Sequence, residues 1–268
     1  MKTAKRFAML AGLALALMAV LSFAGCSKKG EIAKVAPESD FEFKLSDDGT
    51  FIKLTKYNGN AKHLVIPETI QGVPVEVICN SFGGYDGNNK MKSVVIPSSV
   101  KVIGLNAFMG YASLEEVTLP EKLLWIDSEA FSRCESLEKV TLPEELIYIG
   151  AYAFSNTGLT SVTLPKSLEY MSKGAFTYCN NLAEINIPDD AAFLLKNATE
   201  CAEVLYKYYY EEEFTNTGDD IFSGSIIDES VDLQKKLKEI KCIKLNYAHK
   251  HYSKFKEIEK EVISLIWP

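Results

Sequence analysis

Apolar and polar residues alternate in short segments that recur between residues 91 and 188. The segment Leu114 to Pro120 (LEEVTLP) has apolar residues at its first, fourth and sixth positions and ends in proline. Alternation over so few residues predicts a short strand with one buried face. The prolines that end these segments recur every 22 or 23 residues, at positions 97, 120, 143, 165 and 188. A fixed period of this length predicts a solenoid, in which each coil buries its apolar side chains against neighbouring coils.

Other apolar positions recur in the same phase and complete the predicted coil. Leu123 and Ile126, which follow Pro120, are expected to point inward from the wall opposite the strand. An Ala-Phe pair closes each coil, at Ala107-Phe108, Ala130-Phe131, Ala153-Phe154 and Ala175-Phe176. The small alanine leaves room for the phenylalanine rings, which we expect to stack in one column inside a parallel ladder of strands about 4.8 Å apart.

A hairpin is predicted before the first coil. Two alternating runs, Phe41 to Leu45 and Thr50 to Leu54, flank the turn signal Asp48-Gly49. We interpret residues 41–60 as a cap that covers the open edge of a solenoid spanning residues 61–188, because an uncovered terminal strand invites pairing with other chains.

The repeat unit reads L-x-x-V-x-L-P-x-x-L-x-x-I-G-x-x-A-F-x-x-C, and the first coil contains Y-N-G-N and L-V-I-P-E-T-I-Q-G-V-P-V. Both resemble the BspA-like (treponemal-type) leucine-rich repeat, over roughly residues 41–188. The chain departs from the pattern at Asp127 and Ser172, where glycine is usual, and at Thr157-Gly158, where cysteine is usual. Members are typically bacterial surface or secreted proteins that bind other proteins, often host or matrix components. The resemblance therefore implies an adhesin-like, protein-binding role.

The N-terminus has the features of an export signal. Lys2, Lys5 and Arg6 precede an apolar run over residues 7–24, and Phe-Ala-Gly stands before Cys26. This resembles a lipoprotein signal, although leucine is more usual than Phe23. It predicts a signal peptide over residues 1–25, lipid attachment at Cys26 and a polar tether over 26–40. The alternative is an uncleaved membrane anchor. Either predicts an exported bacterial protein held at the outer membrane or cell surface, with a periplasmic orientation also open.

After Pro188 the repeat stops, and residues 189–268 are predicted to form a C-terminal α-helical region with a Gly- and Asp-containing loop over residues 215–230. Apolar residues from position 231 onward follow helical spacing, at Leu233, Leu237, Ile240, Tyr252, Phe255, Ile258, Val262 and Leu265. This part carries nine Lys against five Asp and Glu. It is interpreted either as helices with one side docked on the last coil or as a helix that binds a partner or a membrane surface.

The composition and motifs give no indication of nucleic-acid binding, catalysis or a metal site. A formal net charge of −7 argues against a nucleic-acid binder, and no catalytic, phosphate-binding or cofactor motif is present, so an enzyme is not expected. His249 and His251 lie two apart and would point away from each other on a helix, which disfavours a metal site with Cys242. Nor is a metal or cofactor expected elsewhere.

The remaining cysteines are expected to be structural. Cys134 and Cys179 each follow a repeat phenylalanine by three residues, and Cys79 lies near the equivalent turn. The repeated position predicts small buried apolar residues rather than reactive thiols. A Cys201–Cys242 disulfide stays open as an alternative.

Two outward-facing surfaces are candidates for binding. The strand segments present the row His63, Ser93, Glu116, Lys139, Ser161 and Glu184, beside the row Val65, Val95, Thr118, Thr141, Thr163 and Asn186. A second surface carries Val102, Trp125, Tyr148 and Tyr170 at one repeat position, next to Leu124 and Ile147. If exposed, it is an aromatic stripe of the kind enriched at protein interfaces. Otherwise the C-terminal helices cover it.

The sequence thus predicts a mainly β leucine-rich-repeat solenoid of parallel short strands, with an N-terminal β-hairpin cap and a C-terminal α-helical segment. The function expected is that of a membrane-anchored, non-catalytic protein that binds another macromolecule, in the first place a protein, through a solenoid face. The alternative is a structural envelope lipoprotein in which the solenoid spaces the helical region from the membrane.

Overall fold

The computed structural model describes residues 34–79, 82, 90–172 and 174–188. The predicted signal peptide (1–25), lipid attachment at Cys26 and the helical region (189–268) lie outside the described residues, as does part of the tether. Within the described ranges, no helix combines the length and the apolar character that crossing a membrane requires.

The described chain is built from short strands joined by turns. They are β1 (Phe41–Leu45), β2 (Ile52–Tyr57), β3 (His63–Val65), β4 (Thr69–Ile70), β5 (Val73–Ile78), β6 (Ser93–Val95), β7 (Val102–Ile103), β8 (Glu116–Thr118), β9 (Trp125–Ile126), β10 (Tyr148–Ile149), β11 (Ser161–Thr163), β12 (Tyr170–Met171) and β13 (Glu184–Asn186). A 3-10 turn at Glu38–Asp40 precedes β1. The predicted mainly β solenoid is therefore confirmed.

The strands form two walls of the solenoid. The long sheet has the order β1-β2-β5-β7-β9-β10-β12, with β4 paired to β5. The opposite wall, the short-strand face, consists of β3-β6-β8 and β11-β13. Strands of successive coils pair in parallel, for example Ser93 with Glu116 and Ser161 with Glu184. This register is the one that the spacing of the prolines predicts.

One coil departs from the predicted ladder. Residues 139–141 occupy the strand position between β8 and β11 but belong to neither sheet. Val140 is half-buried there, whereas its equivalents Val117 and Val162 are buried. The interruption lies beside the coil in which the interval from Pro143 to Pro165 is one residue short, so the two halves of this wall meet at coils of unequal length.

A column of phenylalanine rings fills the centre of the solenoid. The centroids of Phe108 and Phe131 lie 5.4 Å apart with the rings 4° from parallel. Phe154 lies 5.3 Å from both Phe131 and Phe176. All four side chains are fully buried. Since these rings stack on the rings of adjacent coils, the column joins the coils in series.

The hairpin extends this column at the N-terminal end. β1 and β2 are antiparallel with a bulge after Glu42, and β2 pairs in parallel with β5 of the first coil. Phe41 and Tyr57 pack against Phe82 at centroid distances of 6.2 Å and 6.0 Å. The hairpin thereby covers both the sheet edge and the first ring of the column.

Each coil turns through two left-handed residues that flank the phenylalanine. The position before the alanine has φ between 55° and 65° in Asn106, Glu129, Tyr152 and Gly174. The position two residues after the phenylalanine has φ between 55° and 77° in Gly110, Arg133, Asn156 and Tyr178. These conformations turn the backbone amides toward the next coil, as in the bond from Phe131 N to Ala153 O (2.7 Å).

Two cysteines are buried beside the column, as predicted. The thiols of Cys134 and Cys179 donate hydrogen bonds to the carbonyls of Phe108 (3.2 Å) and Phe154 (3.0 Å) in the preceding coils. Burial raises the pKa of both thiols, which keeps them protonated and unreactive. Cys79 is less enclosed than these two, since it is half-buried directly after β5, and burial raises the pKa of its thiol to about 11.

Candidate functional site

The short-strand face is open over its C-terminal half. Its outward side chains alternate with the buried residues of each strand, such as Val117 and Val162. The exposed positions are Glu116, Lys139, Thr141, Thr163, Glu184 and Asn186, while Thr118 and Ser161 are half-buried. The two rows predicted from the sequence therefore lie side by side on one accessible surface.

The N-terminal half of this face is more closed. The amide of Ala36 donates to the carbonyl of Val65 (2.9 Å), and the Val65 side chain is buried. His63 Nδ1 lies 2.9 Å from the hydroxyl of Ser93, which is also buried. The His63 ring therefore contacts the neighbouring strand β6. Less of the ring is available to a ligand than the sequence predicted.

The long sheet brings the predicted aromatic side chains together on its outer surface. Trp125 pairs in register with Tyr148, and Tyr148 with Tyr170. The rings of Trp125 and Tyr148 stack with centroids 3.7 Å apart and an interplanar angle of 13°. The Tyr148 hydroxyl lies 3.1 Å from that of Ser172. Trp125, Tyr148 and Tyr170 are called the aromatic stripe below.

The aromatic stripe is buried, whereas its interpretation as a binding surface requires exposure. Its three side chains are only 1%, 2% and 5% exposed. Ile147 is buried beside them, and Leu124 is half-buried. In this structure the stripe is a covered surface rather than an open one. The physical reason is that tryptophan and tyrosine suit covered and exposed positions equally well, so their periodicity cannot distinguish the two.

A buried carboxyl group lies next to the stripe. Asp127 follows β9 at a position that is glycine in two other coils, Gly104 and Gly150. Its carboxylate accepts a hydrogen bond from the amide of Ser128 (2.7 Å). Burial outweighs this bond and raises the pKa of Asp127 to about 6. Sequence reasoning singled out the position but gave no sign that the side chain is buried.

This carboxyl group makes stability depend on pH. Because the pKa of Asp127 is higher in the folded state than its ordinary value of 3.8, ionisation costs more there. Stability should therefore fall as the pH rises from about 4 through 6, by about 3 kcal/mol when complete. Between pH 4.5 and 7.5, we expect the free energy of unfolding to fall by about 2 kcal/mol less in the Asp127→Asn variant than in the parent chain. Urea unfolding measures this difference. Parallel pH profiles for the two proteins would contradict the assignment.

The described residues offer no metal site. None of their His, Cys, Asp and Glu side chains forms a group of three that could hold a metal ion. The disfavoured set Cys242, His249 and His251 lies outside the described residues, as does the Cys201–Cys242 alternative. The carboxylates Glu144 and Glu145 are exposed.

Residues 79–204 match the family model of the BspA type leucine-rich repeat region, in six copies. The chain carries a BspA-type leucine-rich repeat region. Among solved structures, the T. pallidum leucine-rich repeat protein is 27% identical, with a TM-score of 0.51, and the match covers 69% of this chain and 100% of that one. A Bacteroides ovatus leucine-rich repeat protein is 26% identical, with a TM-score of 0.48, over 58% of this chain and 41% of that one. No curated protein matches the chain.

BspA-type repeats are typical of bacterial cell-surface proteins, and leucine-rich repeat domains generally bind proteins. A leucine-rich protein of Faecalibacterium prausnitzii, described as a cell surface protein, is 24% identical with a TM-score of 0.37, over 65% of this chain and 58% of that one. The family and the fold are typically non-catalytic. Of the two candidate surfaces of the BspA-type solenoid, only the short-strand face is accessible over several coils.

Proposed function

We propose that the repeat region binds a protein partner through the open half of the short-strand face. The observation that carries the proposal is the difference in exposure between the two predicted surfaces. Lys139, Thr141 and Thr163 are exposed, whereas Trp125 and Tyr148 are buried. A partner can contact the first surface without any rearrangement of the solenoid.

The chemistry of this face favours a polar protein surface. Three charged positions of alternating sign lie along one row, Glu116, Lys139 and Glu184, with the uncharged Ser161 between the last two. The neighbouring row supplies the hydroxyls of Thr141 and Thr163, whose exposed methyl groups add apolar contact area. Charges spaced in this way give specificity through complementary partner charges, and they make the association sensitive to salt.

Binding should depend on the face itself. We expect the double variant Lys139→Glu with Thr141→Arg to lower affinity at least tenfold, about 1.4 kcal/mol, because it reverses one charge and introduces another at the centre of the surface. The measurement is surface plasmon resonance of the full chain against a panel of purified extracellular-matrix proteins, the partner class that the resemblance implies.

Glu144→Lys with Glu145→Lys is the matched control, since both side chains are exposed but follow the proline that ends the strand. It should leave the affinity within twofold. Equal affinities for the parent chain and the Lys139→Glu, Thr141→Arg variant would show that this face does not bind the partner. Partner binding that requires only residues 189–268 would instead favour the spacer alternative.

We further propose that the mature chain is an adhesin-like lipoprotein anchored through Cys26. The support is the sequence Ala24-Gly25-Cys26 after the apolar run, followed by a polar tether. Cys26→Ser should abolish incorporation of labelled palmitate and move the protein from the membrane to the soluble fraction. Retention of the variant in the membrane fraction would indicate the uncleaved anchor instead.

A further inference from the structure

An apolar surface is buried outside the interior of the solenoid. It is the outer row of the long sheet, in which Val77, Val102, Trp125, Tyr148 and Tyr170 pair in register from β5 to β12. Their exposed fractions run from 0% to 5%. None belongs to the hydrophobic core, which instead takes the next residue of each strand: Ile78, Ile103, Ile126, Ile149 and Met171.

The solenoid cannot cover this row by itself. Adjacent residues of a strand point to opposite faces of a sheet, so a row beside core residues faces away from the core. The described elements that pair with the long sheet are its own strands and β4, which extend it sideways. A tryptophan on the bare face of a sheet would keep much of its ring in water. The cover must therefore come from outside the described residues.

We propose that residues 231–268 dock on this row as an amphipathic helix. Their apolar positions recur with helical spacing, and Tyr252, Phe255, Ile258, Val262 and Leu265 fall on one face of such a helix. From residue 252 to 265 a helix rises about 20 Å. The four inter-strand steps from β5 to β12 span about 19 Å. One face of this helix therefore matches the length of the row.

Charge and chain path favour the same segment. Residues 231–268 carry nine Lys against five acidic side chains, whereas residues 36–188 carry 19 Asp and Glu against 12 Lys and Arg. The described solenoid ends at Pro188, one coil beyond Tyr170, so the chain that follows starts near the end of the row. The other segment long enough, residues 1–33, contains the predicted signal peptide, which is absent from a mature protein.

Docking would make residues 231–268 part of the solenoid's structure. The aromatic stripe would then serve folding, and the short-strand face would remain the surface for a partner. The inference concerns a different surface from the proposed function, and either can fail without the other.

The two tryptophans of the chain, Trp125 and Trp267, allow a direct test. In full-length protein with Trp267→Phe, the fluorescence of Trp125 should be blue-shifted and protected from acrylamide. Adding Phe255→Asp and Ile258→Asp should raise the quenching constant of Trp125 severalfold, because carboxylates on the docking side prevent burial. Ser253→Asp with Lys260→Asp places two carboxylates on the opposite side of the helix and should leave the constant unchanged. Equal protection of Trp125 in both variants would overturn the proposal.

A second measurement keeps the segment intact. A photoreactive benzoylphenylalanine replaces the half-buried Leu124 in the full chain, and the same group at exposed Thr141 is the control. Cross-links from position 124 to residues 231–268 of the same chain are expected, and none from position 141. Cross-links to residues 1–33, or to a second copy in a mixture of isotope-labelled and unlabelled protein, would assign the cover to that occupant and overturn the proposal.

Discussion

Replacing Phe154 with alanine should lower the free energy of unfolding by about 3–5 kcal/mol. Phe154 is fully buried and stacks on a ring in each adjacent coil, at 5.3 Å from Phe131 and from Phe176. The substitution therefore removes two aromatic contacts and leaves a cavity that backbone bonds such as Phe154 N to Ala175 O (2.8 Å) keep from collapsing. Since domains are stable by only about 5–15 kcal/mol, a large part of the total would be lost.

Urea unfolding of the full chain, followed by far-ultraviolet circular dichroism, measures this loss. Tyr178→Ala is the matched control, because Tyr178 is 59% exposed in the turn that follows Phe176. It should change stability by less than about 0.5 kcal/mol. A solenoid couples only neighbouring coils, so Phe154→Ala should also broaden the transition by uncoupling the coils on either side. Similar losses for the two variants would contradict a continuous column.

The phenylalanine column could be predicted because the phenylalanines recur with the period of the repeat. Phe108, Phe131 and Phe154 recur in phase with the prolines, and only stacking of successive coils buries all of them at once. The hairpin followed in the same way from the turn signal Asp48-Gly49, and Gly49 has a φ of 73°. Both features have a direct signal in the sequence, a fixed period for the column and a turn signal for the hairpin.

The left-handed turn positions were missed although part of their signal is present. Gly110 and Asn156 share one of these positions, and both residue types adopt positive φ more readily than others. Arg133 and Tyr178 occupy the same position in other coils and hide the pattern. The hydrogen bonds between coils hold these residues in a conformation that their own propensities disfavour, and a single sequence does not reveal that balance.

Exposure was the property that the sequence could not supply. The stripe formed by Trp125, Tyr148 and Tyr170 was placed correctly in register, but its burial was not predicted. The same holds for Asp127, whose raised pKa results from burial. The period of the repeat determines which residues are neighbours across coils, but it does not determine which outer faces are buried.

Gly150→Ala should destabilise the protein by about 3 kcal/mol, through contact with backbone rather than through its own conformation. A Cβ at this position would lie 2.5 Å from the carbonyl carbon of Asp127 and closer still to the amide nitrogen of Ser128. Neither atom can move without shifting the preceding coil. The added methyl group would also lengthen the hydrogen bond from Gly150 N to Ile126 O, now 2.8 Å, which lies just beyond the paired residues of β9 and β10.

Gly72→Ala separates this cause from backbone strain. Gly72 has a φ of 80°, but a Cβ there would meet no atom within 4 Å. Its substitution should cost only the penalty of a left-handed alanine, about 1–2 kcal/mol. Thermal and urea unfolding of the two single variants would give the comparison. Equal losses would mean that the coils at Gly150 can separate enough to admit a methyl group, and that their close approach is not required for stability. A larger loss at Gly150 would show that the distance between coils is fixed by direct backbone contact at this position, beside the buried Asp127 and the aromatic stripe.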